Sequence, residues 1–116
     1  MSLNTSLSIA LSKLKELFPD KSKSWFRRCV LRLDDVHSIY IGDDIEQWVV
    51  RGNPRLGDKY RFYIVTIYPK EGKHICSCYE PNRKYGRYRL KSVCTHVGAV
   101  YLYKIINKRD IKIKMK

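Results

Sequence analysis

The sequence predicts an α+β domain: a short antiparallel β-sheet with one or two helices ahead of it and another behind. Three observations predict it. Apolar residues recur at helical spacing near the start, four short β-branched and aromatic runs fill the middle, and an apolar helical run lies near the end. At 116 residues there is room for one domain, and 44% apolar with 12% aromatic content argues for a folded chain.

The elements follow in order. Leu3, Leu7, Leu11, Leu14 and Phe18 stand at helical spacing between Ser and Lys residues until Pro19 stops the run, which predicts an amphipathic helix over 4–18. Asp20 or Ser22 can cap a second helix whose face carries Trp25, Phe26, Cys29, Val30 and Leu33. From Val36 the pattern alternates, predicting a strand to Ile41, and Gly42-Asp43-Asp44 supplies a turn. Ile45 to Arg51 is a second strand, closed by Gly52-Asn53-Pro54. Tyr60 to Tyr68 is a third, and Pro69-Lys70-Glu71-Gly72 turns the chain into a hairpin partner over Lys73 to Cys78. Thr95 offers a cap for a helix over Val97 to Asn107 with Val100, Tyr103 and Ile106 on one side, and the last residues predict a frayed, charged tail.

Charge narrows the function classes. Lys and Arg number 24 against 11 Asp and Glu, a net +13, a balance that attracts polyanions. The excess is concentrated: from Tyr79 to Lys116 there are eleven basic and two acidic residues. No apolar run approaches the roughly 18–20 residues of a bilayer span, and the first residues lack the basic and apolar regions of a signal peptide. Clustered cysteines without an export signal more often hold a metal than pair as disulfides, so the expected setting is reducing and intracellular, in the cytoplasm.

The decisive spacing is Cys76-Ser77-Cys78, fifteen residues, then Cys94-Thr95-His96. Strand positions i and i+2 share a face, so Cys76 and Cys78 can approach one ion. Cys94 and His96 stand where extended chain enters the last helix. Three thiolates and an imidazole fill the tetrahedral sphere of Zn²⁺, which predicts one structural zinc and no open catalytic position. His74 shares strand parity with the cysteines, but with four ligands already present it is expected to face solvent. Cys29, among Phe26, Val30 and Leu33, is expected to be a small core residue.

This arrangement, CxC, spacer, CxH, resembles the SWIM zinc finger, and the flanks agree. Trp48 to Gly52, Tyr63 to Val65, Ile75-Cys76-Ser77-Cys78 and Cys94-Thr95-His96-Val97-Gly98-Ala99-Val100 are similar to that family's strand, second strand, cysteine strand and apolar helix over roughly 34–107. The resemblance implies a zinc-bound ββα (SWIM) unit over 34–107; it does not cover the helical segment over 1–33, expected to pack on that domain, or the basic tail over 108–116. It also implies a DNA-binding or protein-interaction module. Many members have a basic residue where this chain has Thr95, and the spacer here is long and very basic.

That spacer, YEPNRKYGRYRLKSV, interleaves Arg83, Lys84, Arg87, Arg89 and Lys91 with Tyr79, Tyr85 and Tyr88. Cations neutralise phosphates and tyrosine rings offer stacking faces, so Arg83, Lys84, Tyr85, Arg87, Tyr88, Arg89 and Lys91 are candidate nucleic-acid contacts, with DNA favoured over RNA. The bland alternative is a solvated loop of a basic protein. A second function is an adaptor that binds a protein partner, such as a recombinase-like ATPase, through the first helix. The same leucine stripe would suit a homodimer. A third is a metal-dependent nuclease using Asp34, Asp35, Asp43, Asp44 and Glu46, although Asp is common in turns for conformational reasons. No nucleophile–base arrangement appears elsewhere, and the expectation is a binding protein that is not an enzyme and has no membrane partner.

Overall fold

The computed structural model describes residues 3–79 and 93–115, with side-chain surroundings for 6–78 and 93–107. Among these, three α-helices and a four-stranded antiparallel sheet make an α+β fold. Helix α1, Leu3–Leu17, buries Ala10 and Leu14 and half-buries Leu7 and Leu11. Leu7, Leu11 and Leu14 of the leucine stripe pack within the chain, against α2 and the last helix.

Ser22 starts α2, Lys23–Leu31, in extended geometry (φ −76°, ψ 164°), and its hydroxyl accepts the Trp25 amide at 3.1 Å. That cap satisfies one orphan donor of the first turn. The helix buries Trp25, Phe26 and Cys29. Cys29 is wholly inaccessible, the core residue expected of it, and burial pushes its thiol up to about 12.

A 3₁₀ turn at Leu33–Asp35 leads into β1, Val36–Ile41, then β2, Glu46–Arg51, β3, Phe62–Tyr68, and β4, Lys73–Cys76, paired in chain order. Strands β2 and β3 bury alternate residues on one face, Trp48, Val50, Tyr63, Val65 and Ile67, joined by Val36 at the start of β1 and Cys76 at the end of β4. A register shift between Ser38 and Tyr40 interrupts β1. Ile39, Tyr40 and Ile41 beyond it are all exposed.

Helix α3, Thr95–Met115, lies between the sheet and the α1–α2 pair. The one-sided face read from Val100, Tyr103 and Ile106 is too narrow. Val97, Ala99 and Val100 belong to the sheet-side core while Leu102 packs with Leu14, Phe26 and Cys29 on the other side. The helix expected to end at Asn107 continues to Met115. No proline or glycine interrupts the chain after Asn107, and Lys, Arg, Ile and Met tolerate helix well. Among the described residues no helix is long and apolar enough to cross a membrane.

Candidate metal centre

Cys76 ends β4, Cys78 lies in a 3₁₀ turn at Ser77–Tyr79, and Cys94 and His96 flank the start of α3. Their ligand atoms all lie within 4.8 Å of one another, and Cys76, Cys94 and His96 are buried while Cys78 is half-buried. These four side chains could hold one metal ion.

Strand parity is not what unites the first pair. The strand stops at Cys76, because the Ile64 amide donates to the Ser77 hydroxyl at 3.1 Å, where a further residue of regular ladder would have offered a backbone carbonyl. The 3₁₀ turn then brings the Cys78 sulfur to the cluster. On the helical side, the Gly98 amide bonds the Cys94 carbonyl at 3.1 Å, so Cys94 is the last residue before the helix and His96 is in its first turn. Trp25 Nε1 donates to the Val93 carbonyl at 3.0 Å, tying the chain just before Cys94 to α2.

His96 carries the most informative geometry. Its Nε2 donates to Asp58 Oδ1 at 3.1 Å, while its buried Nδ1 has no hydrogen-bond partner. Buried polar atoms are rarely left unsatisfied. An imidazole whose outer nitrogen is held by a carboxylate and whose inner nitrogen faces three thiols is oriented as a metal ligand. The residues present therefore fit a thiophilic metal ion, with Nδ1 as the ligating atom.

Asp58 is the pivot of that support. It receives Arg32 twice, Nη1 to Oδ2 at 2.5 Å and Nη2 to Oδ1 at 3.1 Å, and the Asn53 amide at 2.8 Å. Arg32 is only 2% exposed, and its Nε donates to Thr95 Oγ1 at 2.9 Å. Thr95 is thus an acceptor for a buried arginine, where a basic residue would meet a like charge. Tyr63 stacks on the His96 ring with centroids 4.0 Å apart.

The charges follow this geometry. Burial alone would raise the Asp58 carboxyl, but hydrogen bonds from His96, Arg32 and Asn53 hold it well below the usual carboxylate range. Burial alone would lower His96, yet Asp58 first, then the Cys78 and Cys94 sulfurs, push it up to about 10. Burial opposes ionisation of Cys94, but the nearness of Cys76, Cys78 and His96 brings it well below an ordinary thiol. Cys76 is raised by its hydrogen bonds to Cys78 and Cys94, and by burial.

Other expectations fall differently. His74 does not face solvent: it is half-buried, its Nδ1 is 3.3 Å from the Tyr101 hydroxyl, and its ring meets Phe18 and Tyr101 edge-on. The end of α1 and the flank of α3 cover it, and burial lowers its basicity. Glu46 accepts from Trp48 Nε1 at 3.0 Å and pairs with Lys104, while Asp44 pairs with Lys70 at the surface. Among the described residues, the sulfur–imidazole set is the one group of three or more potential metal ligands found together. The candidate nucleic-acid contacts Arg83, Lys84, Tyr85, Arg87, Tyr88, Arg89 and Lys91 lie outside the described residues. Sequence reasoning missed Asp58 and Arg32; Asp58 follows Gly57 and looks like any turn aspartate. Comparison with protein-family models, with curated proteins and with solved structures found no match.

Proposed function

We propose that this chain is a zinc-stabilised nucleic-acid-binding module, with DNA the favoured ligand, built on a SWIM-type zinc finger. The observation that carries the metal half is the orphaned, buried Nδ1 of His96 facing three cysteines while Asp58 holds its other nitrogen. A three-sulfur, one-nitrogen set suits zinc, and four protein ligands leave no open position for hydrolysis, which favours a structural ion in a protein that is not an enzyme. The ion would join the end of β4 to the start of α3. The nucleic-acid half is supported by the net charge of +13 and the basic, tyrosine-rich stretch between the two ligand pairs.

Two measurements test it. Metal analysis of protein purified without added metal should find one zinc per chain, and Cys94→Ser should abolish it. Anisotropy with labelled single- and double-stranded DNA across a salt series should give micromolar or tighter binding with a steep salt slope. Changing Arg83, Lys84 and Arg87 together to Ala should flatten that slope. No binding at moderate salt would reject the nucleic-acid reading and turn attention to a protein partner.

A further inference from the structure

A pocket of about 640 Å³ opens where β2 ends and β3 begins, with Asp58 in its lining. Arg51, at the end of β2, and its cross-strand partner Phe62, at the start of β3, stand on its wall. Lys59, Tyr60 and Arg61 from the connecting loop complete the rim. Among the described residues none of Arg51, Lys59 and Arg61 has an ion-pair partner. The one carboxylate lining the pocket, Asp58, is already engaged by Arg32 and His96. Three cations with no ion-pair partner among the described residues thus line the pocket together with a phenyl ring that is 60% exposed.

The sheet face that Phe62 shares continues the pattern. Ile64 and Ile75 are exposed on it, outside the α3-covered core. An open sheet with a solvent-facing ring and a cationic edge is chemically suited to unpaired bases, which stack on rings while their phosphates meet the cations. A duplex offers no base face to such a ring. We infer that this pocket is a binding site for single-stranded nucleic acid, with Phe62 as the stacking platform and Arg51, Lys59 and Arg61 as the phosphate contacts. This rests on the nucleic-acid reading above but assigns it to residues separate from the loop between the ligand pairs.

The metal centre shapes this site from behind. Asp58 fixes the loop through the Asn53 amide. Tyr63, stacked on His96, accepts the Lys59 and Tyr60 amides at 3.1 and 3.3 Å. Gly52 permits the close return of the chain, since a Cβ there would sit 1.9 Å from the Tyr60 carbonyl oxygen. The rim is therefore anchored to the ring of the candidate metal ligand.

The test uses the full, zinc-loaded chain and labelled oligothymidylate in an anisotropy salt series, with a labelled duplex beside it. Phe62→Ala should weaken single-strand binding by about 5- to 100-fold and leave duplex binding unchanged, while Phe62→Tyr restores it. Changing Arg51, Lys59 and Arg61 together to Ala should lower the salt slope by about 2. All four positions are exposed, and unchanged melting with full zinc content would verify folding. If these variants bind as the parent does while the Arg83, Lys84 and Arg87 variant weakens, the pocket is wrong and the module reading stands. If the parent binds no oligonucleotide, both fall. If thymidine monophosphate competes as well as the oligonucleotide, the site is a mononucleotide pocket and the inference is overturned.

Discussion

At the scale of single residues, Asp58 separates two effects that one substitution would otherwise blur. Its carboxylate orients His96 and also neutralises the buried Arg32. Asp58→Asn keeps the size but removes the charge. Loss of a carboxylate that orients a ligating histidine typically costs about 10- to 100-fold in metal affinity. Stranding a buried arginine costs on the order of 3–5 kcal/mol. The variant should therefore weaken zinc binding, read by competition with a chelating dye, and lower the melting temperature even with zinc in excess. Asp58→Asn combined with Arg32→Met should recover part of the melting temperature but not the zinc affinity. Acid should act on the same ligands. Each must be deprotonated to bind metal, so zinc affinity should fall as pH falls, by about tenfold per unit for each proton that binding releases. Titration calorimetry in buffers of different ionisation enthalpy would count those protons. Cys29 should behave unlike the ligand thiols: after chelation, iodoacetamide should modify half-buried Cys78 while Cys29, inaccessible and pushed up to about 12, stays unmodified until the fold opens.

At the scale of elements, α3 is confined from both sides, and Gly98 shows how tightly. A Cβ there would lie 2.5 Å from Cys29 Sγ and 2.6 Å from Trp25 Cη2. Gly98→Ala adds only one methyl group, and alanine favours helix, so a helix-propensity effect alone would stabilise. Overpacking should win and destabilise by about 1–3 kcal/mol, measured by denaturant unfolding of the zinc-loaded protein. Cys29→Ala should relieve only part of it, because the indole of Trp25 remains. The same element shows what was legible in the sequence. The Leu stripe of α1, the Ser22 cap of α2, the alternation of the strands and the spacing of the four ligands are local patterns, and each predicted its element. The second apolar side of α3 was obscured because Leu102 and Gly98 fall outside a single stripe. Cys78 was assigned to the right cluster by a strand that ends two residues earlier. The Arg32–Asp58–His96 relay was illegible, since it joins single polar residues 26 and 38 positions apart and no local periodicity marks them.

At the scale of the whole molecule, two apolar cores stand differently toward the candidate metal site. The sheet-side core contains Cys76 and Cys94 together with Val65, Val97 and Val100. The helical core contains Leu14, Trp25, Phe26, Cys29 and Leu102, and no ligand. Binding free energies of structural zinc sites are on the order of 10–16 kcal/mol, comparable with the whole stability of a small domain, roughly 5–15 kcal/mol. Without metal, the sheet-side core also retains three sulfurs and the His96 imidazole whose ligand atoms crowd within 4.8 Å of one another. Chelation should therefore do more than lower the melting temperature: it should loosen the molecule unequally. Hydrogen exchange of the chelated protein should speed up first at Ile75, Cys76 and Val97–Val100. The amides of α2, held by the Ser22 cap and the helical core, should retain more protection. Cys94→Ser should reproduce this pattern with zinc present. If that variant kept both its zinc and its melting temperature, or if protection fell evenly across both cores, the metal would not be the fastener between sheet and helix.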